Sequence, residues 1–178
     1  MKGVSVKGSY GFVDTDKLTS VRNSNYSDKT GVYIWAIPVE QDYMITYVGI
    51  TGRNFAKRMQ EHLQCYLSGE YGTYDFEALK QGKTERTYPG TYRDADIEEF
   101  IENHQEIFTK LKEYLYNTEI FLIPLNRGKQ FRENLESAIA DEIRNSSNTG
   151  DLPLSGSPKQ DYEPDEESET IEIDTDVN

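Results

Sequence analysis

Three short segments of the chain are rich in β-branched and aromatic residues, and we predict that each forms a β-strand. They cover residues 31–39, 43–50 and 118–125. The polar stretch 40–42 between the first two is a predicted turn, so these two strands are expected to pair as an antiparallel hairpin. Both hairpin strands are apolar enough to predict a sheet that is largely covered.

Three further segments repeat apolar residues at the spacing of an amphipathic helix. The first is capped by Thr51 or Asn54 and continues to about Leu67. The second follows the capping residue Asp96 and continues to about Leu115, and the third covers about 130–144. His104 falls within the apolar stripe of the second helix, where we expect a core or boundary residue. The resulting order, β-β-α-α-β-α, predicts an α+β fold.

Composition divides the chain into three parts. Residues 1–28 are polar with scattered apolar positions and are expected to form an N-terminal arm or an edge strand. Residues 29–158 contain all of the predicted elements, together with an insertion at about 69–117 whose first half is irregular and rich in Gly, Tyr and Thr. Residues 159–178 are an acidic tail of the kind that is usually disordered.

Charge and cysteine content limit which binding partners and which cellular compartment the sequence predicts. The chain has a net charge of −13, but residues 151–178 alone hold ten acidic residues against one Lys. The remainder is only mildly acidic, which argues against a strong unspecific grip on DNA without excluding a nucleic-acid partner. No apolar run approaches the length of a membrane span, and no signal peptide is recognisable. Together with a single cysteine, Cys65, these features predict a cytoplasmic protein without a membrane partner.

The predicted hairpin places two tyrosines near glycines. Tyr33 lies two residues after Gly31, and Tyr47 lies two residues before Gly49, so each tyrosine shares a strand face with its glycine. Two phenols beside backbone that lacks side chains would form an open polar notch, and glycine in a strand often marks the close approach of a ligand or of backbone. Tyrosine also favours strands in general, and the chain has 13 of them, so this pattern alone does not establish a site.

Three polar residues on the predicted helices are candidates for the same site. Arg58 and His62 are four residues apart and lie on one side of the first helix, directly after the second strand. A solvated helix face also explains this spacing, and spacing alone favours it. Glu136 lies beside the apolar stripe of the last helix, where a buried carboxylate needs a partner or a metal. A salt bridge to Arg132 or Arg58 is the structural alternative.

Taken in order, these motifs resemble the GIY-YIG nuclease family. The resemblance covers roughly residues 30–148 and is carried by Gly31-Val32-Tyr33, Tyr47-Val48-Gly49, Arg58, His62 and Glu136. Each fragment is short, but the combination in this order is specific. The resemblance implies a three-stranded antiparallel sheet flanked by helices, and an endonuclease that hydrolyses phosphodiester bonds, with double-stranded DNA as the expected substrate. The hairpin is slightly longer than in many members, the insertion at 69–117 is large, and no DNA-binding module is recognisable.

The resemblance also implies a role for each matched residue. The expected catalytic residues are Tyr33, Tyr47, Arg58, His62 and Glu136, with Gly31 and Gly49 as structural residues of the motif. Arg58 would hold phosphate oxygens, and Tyr33 would be the general base, with Tyr47 as its hydrogen-bonding support. Glu136 would bind the divalent metal, with Mg²⁺ preferred over Mn²⁺, because Mg²⁺ keeps several waters and needs only one or two carboxylates. Asn148 resembles the residue that closes the site.

The insertion supplies a second group of candidate substrate-binding residues. Tyrosines in its first half are interleaved with the basic residues Lys80, Lys83, Arg86 and Arg93. Aromatic and basic side chains together can stack on bases and hold phosphates. Packing within a Tyr-rich loop is the alternative, and acidic neighbours dilute the positive charge.

Two interpretations of the function follow from the sequence. The first is the metal-dependent endonuclease, which would need a transient dimer to make paired cuts from one site per chain. The second is a non-catalytic member of the same fold that binds nucleic acid or protein and is regulated by the acidic tail. The completeness of the five catalytic matches favours the first interpretation.

Overall fold

The computed structural model describes residues 4–40, 42–93, 95–146 and 173–174. The strands within these residues are β1 (Val4–Ser5), β2 (Lys7–Tyr10), β3 (Gly31–Val39), β4 (Asp42–Thr51), β5 (Thr73–Tyr74), β6 (Arg86–Tyr88), β7 (Glu119–Pro124) and β8 (Ile173–Asp174). The α-helices are α1 (Phe55–Leu67), α2 (Phe76–Lys80), α3 (Ile97–Glu102), α4 (His104–Asn117) and α5 (Lys129–Ser146), and Val21–Asn23 form a 3₁₀ turn. The α+β class expected from the sequence is confirmed.

The main sheet has four strands in the order β2-β7-β3-β4, and every neighbouring pair is antiparallel. The prediction of a three-stranded sheet is therefore wrong, because the sheet has one additional strand. The additional strand, β2, comes from the N-terminal arm and pairs with β7, where Lys7 lies opposite Leu122. All four residues of β2 are only partly buried, so no alternation of apolar and polar residues marks it as a strand. Burial of Val6 and Phe12 on either side holds the arm to the core.

A β-bulge sets the register of the hairpin formed by β3 and β4. Val39 pairs with Asp42 next to the turn, and Ala36 pairs with Ile45. Beyond these pairs the register shifts by one residue, so that Trp35 pairs with Tyr47 and Thr46 is the extra residue of the bulge. Because a shift of one residue moves side chains to the other face of a sheet, the bulge decides which face the following residues of β4 occupy.

Different helices cover the two faces of the sheet. The β3 side chains that alternate from Tyr33 to Ile37 pack with apolar residues of α1 and α4. The intervening side chains, Val32 and Ala36, pack with apolar residues of α5. This double coverage explains why β3 is apolar almost throughout, and it places α1 and α5 on opposite faces.

The insertion forms a hairpin of β5 and β6, the short helix α2 and the helix pair α3 and α4. The single helix expected between Asp96 and Leu115 is two helices, because the chain turns at Asn103, whose side-chain amide donates to the Glu99 carbonyl at 3.2 Å. His104 begins α4 in an exposed position, so the expected core or boundary location is wrong.

Near the end of the chain, Ile173–Asp174 pair in parallel with Val4–Ser5. The rest of the acidic tail at 159–178 lies outside the described residues, so its predicted disorder stays a prediction. Across the described ranges, the structure has no helix that combines the length and the apolar character needed to cross a membrane.

Candidate active site

The hairpin brings three aromatic side chains together on the face that α1 covers. Tyr33 lies opposite Gly49, and Trp35 lies opposite Tyr47. The rings of Tyr33 and Tyr47 stack with their centroids 5.8 Å apart and 19° between their planes. Tyr47 also stacks on Trp35, with a centroid separation of 4.4 Å. The two tyrosines of the motif are thus in direct contact. This contact depends on the bulge, which places Tyr47 on the same sheet face as Tyr33.

Gly49 is required by this stack. A Cβ atom at position 49 would lie 2.6 Å from the Tyr33 hydroxyl oxygen and 2.7 Å from its Cζ, and it would also collide with the Tyr47 ring. The phenols therefore fill the space beside Gly49, and the open notch expected from the sequence is absent. Gly31 is required instead for the pairing of β3 with β7. Its φ is +153°, and a Cβ there would collide with the carbonyl oxygen of Ile123 on β7.

Helix α1 brings two polar side chains to the Tyr33 hydroxyl. The helix begins after Asn54, whose side-chain oxygen accepts the Lys57 N–H at 2.8 Å. One turn apart on this helix, Arg58 donates its Nε–H to the Tyr33 oxygen at 3.1 Å, and Nε2 of His62 lies 2.8 Å from the same oxygen. His62 is 1 % exposed, so the solvated helix face that spacing alone favours is wrong for this residue.

Burial determines the protonation states of His62 and Tyr33. Burial, followed by the charge of Arg58, lowers the pKa of His62 to about 3, so the imidazole is neutral at neutral pH. Burial, followed by the neighbouring Tyr47, raises the pKa of Tyr33 well above its ordinary value, so the phenol keeps its proton. Since Arg58 can only donate, the Tyr33 oxygen accepts from Arg58, and the Tyr33 hydroxyl can donate to Nε2 of His62. Nδ1 of His62 is buried and has no hydrogen-bond partner among the described residues.

The two tyrosines differ in their access to solvent. Tyr33 has no exposed surface and is enclosed by Tyr47, Trp35 and Phe55. Tyr47, by contrast, is half-buried. A water molecule can reach the surface of Tyr47 but not that of Tyr33, so the burial of Tyr33 does not support the expected role of general base.

Arg58 also faces a carboxylate that it shares with a second arginine. Its Nη1 lies 3.3 Å from Oε2 of Glu61, and Nη1 of Arg53 lies 2.6 Å from Oε1 of the same residue. The Arg58 side chain is 27 % exposed, and its guanidinium lies between the Tyr33 hydroxyl and the Glu61 carboxylate. Two arginines share one carboxylate, which leaves an excess of positive charge at the start of α1.

Glu136 is positioned by a helix on the other face of the sheet. Helix α5 packs its apolar residues, among them Leu135 and Ile139, with the β3 face that carries Val32. The same helix contacts β4, which is an edge strand of the sheet. Four of the five predicted catalytic residues therefore meet on the α1 face, and Glu136 lies on the helix that covers the opposite face.

The Glu136 side chain is buried without a partner. It is 8 % exposed, and among the described residues its carboxylate makes no hydrogen bond and no ion pair. No salt bridge joins Glu136 to Arg132 or Arg58, so the structural alternative for this carboxylate is wrong. Burial, followed by the charge of Glu133, raises the pKa of Glu136 to about 7.

A metal ion at Glu136 would have few protein ligands among the described residues. The described residues include no cluster of three or more His, Cys, Asp and Glu side chains that could hold a metal. A structural Zn²⁺ site takes four such ligands and a catalytic one takes three, and the described residues supply neither set. Mg²⁺ keeps several waters and needs only one or two carboxylates, so an unpaired Glu136 fits it.

The basic residues proposed to bind substrate fall into two groups. Arg86 stacks its guanidinium 4.7 Å from the centre of the Tyr74 ring and donates Nη2–H to the Tyr74 hydroxyl at 2.7 Å, while Lys80 pairs with Glu77 at 3.2 Å. These two cations already have partners within the insertion. Lys83 and Arg93 are exposed on its surface. The predicted site residue Asn148 lies outside the described residues.

Tyrosines of the insertion pack mainly into the protein. Tyr74 and Tyr88 are buried, and they cannot stack on bases without leaving the core. Tyr71 packs with its ring centroid 5.8 Å from that of His62, so the insertion covers the imidazole. Tyr92, in contrast, is 83 % exposed. The loop-packing alternative therefore describes Tyr74 and Tyr88.

Several contact residues of the site were absent from the sequence analysis. Trp35 could have been found, because it follows Tyr33 by two residues and must share its strand face. The contact of Glu61 with Arg58 could also have been predicted, because Glu61 lies three residues after Arg58 on the same helix. Tyr71 and Arg53 gave none, since their contacts with His62 and Glu61 depend on how the loops fold.

Comparison of the chain with protein-family models, with curated proteins and with solved structures finds no match. Any statement about function therefore rests on the geometry and chemistry of this site.

Proposed function

We propose that this chain is a metal-dependent endonuclease that hydrolyses phosphodiester bonds in double-stranded DNA. The observation that carries the proposal is the Tyr33 hydroxyl held between Nε of Arg58 at 3.1 Å and Nε2 of His62 at 2.8 Å, with Tyr47 stacked beside it. These residues lie far apart in the chain and occur in the order of the GIY-YIG motif. Their meeting at one point supports an assembled catalytic group.

Arg58 is suited to bind the phosphate that is cut. Its Nε is fixed by Tyr33, and its contact with Glu61 is long at 3.3 Å. The planar guanidinium offers two parallel donors, and charge-assisted hydrogen bonds to phosphate oxygens are shorter and stronger than this contact. A phosphate can therefore take the place of Glu61 without releasing Arg58 from Tyr33.

The two tyrosines would have different roles. Tyr47, which is half-buried, would position the attacking water, while the enclosed Tyr33 would hold Arg58 in place and donate to neutral His62. This assignment exchanges the roles expected from the sequence, because burial keeps Tyr33 away from water and holds its proton.

Glu136 would hold the metal ion. A bound Mg²⁺ would neutralise charge on the phosphate and polarise the leaving oxygen. Both Tyr47 and helix α5 adjoin the edge strand β4. A DNA strand that follows this edge would therefore meet the Arg58 group from one face and Glu136 from the other.

Cleavage of supercoiled plasmid at low salt tests the proposal. The wild type should nick or linearise the plasmid with Mg²⁺ and should stop when the metal is chelated. Glu136→Gln keeps the shape of the side chain and should abolish cleavage. Glu133→Gln, one turn earlier on the same helix, is the matched control and should keep it. Cutting by Glu136→Gln at the wild-type rate would remove Glu136 from the site.

One observation favours the alternative of a non-catalytic nucleic-acid-binding protein. Within the described residues, no polar contact joins Glu136 to the group formed by Tyr33, Arg58 and His62. If that separation persists with DNA bound, a folded wild type would bind the duplex and leave the plasmid intact with Mg²⁺ and with Mn²⁺.

A further inference from the structure

A third arginine approaches the start of α1 from helix α5. Arg132 lies in the first turn of α5, and its guanidinium contacts Gly52 in the connection between β4 and α1. Its Nη2 would lie 3.2 Å from a Cβ atom at position 52, so the glycine allows the guanidinium to lie against the backbone. At its other side, Nη1 of Arg132 donates to the carbonyl oxygen of Arg127.

Arg132 is a half-buried cation that lacks an acidic partner. Its Nε is buried and has no hydrogen-bond partner among the described residues, and no described carboxylate pairs with its guanidinium. Glu136 follows four residues later, at a spacing that often forms ion pairs, yet Arg132 contacts Gly52 instead. The guanidinium is thus partly removed from water without an ion pair, and a bound anion would supply the missing negative charge.

Three arginines consequently adjoin one short connection. Arg53 and Arg58 share the carboxylate of Glu61, and Arg132 comes from the opposite face of the sheet. Two of these arginines share one carboxylate and the third has no carboxylate partner among the described residues, in a chain whose net charge is −13. Such a local excess attracts an anion to this place on an otherwise acidic protein.

We propose that Arg132 binds the DNA backbone at a second phosphate, beside the phosphate that Arg58 holds. This inference rests on the proposed nuclease function and adds a substrate-binding residue to the same site. A strand that follows the edge of β4 would pass Arg58 at the start of α1 and Arg132 at the start of α5. The planar guanidinium of Arg132, already fixed by the Arg127 carbonyl, is suited to bind phosphate oxygens.

Binding of a fluorescein-labelled DNA duplex to the full chain tests the inference. Fluorescence anisotropy is measured over a series of salt concentrations with EDTA present, so that no cleavage occurs. Arg132→Gln should weaken binding about tenfold at low salt and should reduce the slope of log K against log salt by about 0.9, the value for one lost phosphate contact. Arg132→Lys keeps the charge and should keep the slope, with an intermediate affinity.

Arg144→Gln is the matched control, because Arg144 lies on the same helix, is exposed and pairs with Asp141 at 2.6 Å. It should bind DNA like the wild type. The salt slope separates a lost phosphate contact from partial unfolding, since unfolding lowers the active fraction without changing the slope of the folded protein. Melting curves of each variant verify that it is folded.

The outcomes distinguish this inference from the proposed function. Equal affinity and slope for Arg132→Gln and Arg144→Gln would overturn the role of Arg132 and leave the nuclease proposal standing, because plasmid cleavage is scored separately. DNA binding that depends on Arg132 in a protein that cuts nothing would support this inference and contradict the nuclease. A folded wild type that binds no duplex would overturn both.

Discussion

Replacing Gly49 with alanine tests whether the Tyr33–Tyr47 stack holds the site together. The new methyl group would lie 2.6 Å from the Tyr33 hydroxyl oxygen and 2.7 Å from Tyr33 Cζ, and it would also collide with the Tyr47 ring. Unstrained contacts of this kind are about 3.5–4.0 Å long, so the Tyr33 ring would have to move by about 1 Å.

The surroundings of Tyr33 oppose such a movement. The residue has no exposed surface, and its hydroxyl is hydrogen-bonded to His62 at 2.8 Å and Arg58 at 3.1 Å. Forcing extra atoms into a packed core costs about 1–3 kcal/mol, and the loss of one buried hydrogen bond adds about 1 kcal/mol. We therefore expect Gly49→Ala to lower the free energy of unfolding by about 3 kcal/mol.

Urea unfolding followed by tryptophan fluorescence measures this loss, because Trp35 is the only tryptophan and stacks on Tyr47. With an m-value of about 2 kcal/mol per molar urea, the midpoint should fall by about 1.5 M. Gly128→Ser is the control, because a Cβ at Gly128 has nothing within 4 Å and serine is favoured before a helix. The control should change stability by less than about 0.5 kcal/mol. A loss for Gly49→Ala no larger than that of the control would refute the described packing of the tyrosines.

The buried acid and the buried imidazole should give opposite dependences of stability on pH. Because the pKa of Glu136 is raised from 4.5 to about 7, its contribution to stability is present below about pH 4.5 and is lost as the pH rises through about 7. Glu136→Gln should therefore be more stable than the wild type by about 1–3 kcal/mol at about pH 8 in EDTA, and Mg²⁺ should stabilise only the wild type. An equal response of both proteins to Mg²⁺ in urea unfolding would contradict the metal-binding role. The pKa of His62 is lowered from 6.5 to about 3, so its contribution is present above about pH 6.5 and is lost as the pH falls toward 3. Between about pH 7 and pH 4, the free energy of unfolding of His62→Gln should fall by about 2 kcal/mol less than that of the wild type. An equal fall for both proteins would show that the imidazole is not buried as described.

Local sequence pattern determined most of the elements that build the site. The run 31–39 is a strand at the predicted bounds, and the start of α1 follows the Asn54 cap. The last helix extends from Lys129 to Ser146, close to the predicted 130–144. These predictions succeed because strand and helix periodicity, and a capping hydrogen bond, involve residues only a few positions apart.

The arrangement of the site depended on longer-range contacts. The bulge at Thr46 puts Tyr47 on the same face as Tyr33, and neither strand contains a signal that locates it. The fourth strand, β2, forms because its backbone pairs with β7 while its flanking residues are buried. The break at Asn103 likewise divides one amphipathic pattern into two helices.

The sequence by itself determined which residues had the chemistry for a site: two tyrosines, an arginine and a histidine one turn apart, and an acid beside an apolar stripe. Only the tertiary structure decided that Tyr33 is enclosed, that Glu136 approaches from the opposite face, and that Arg132 lies against Gly52. The reason is physical, since burial and partner choice depend on strand register and helix packing between residues distant in the chain. Those quantities decide whether an ionisable group is neutral, paired or open to a ligand.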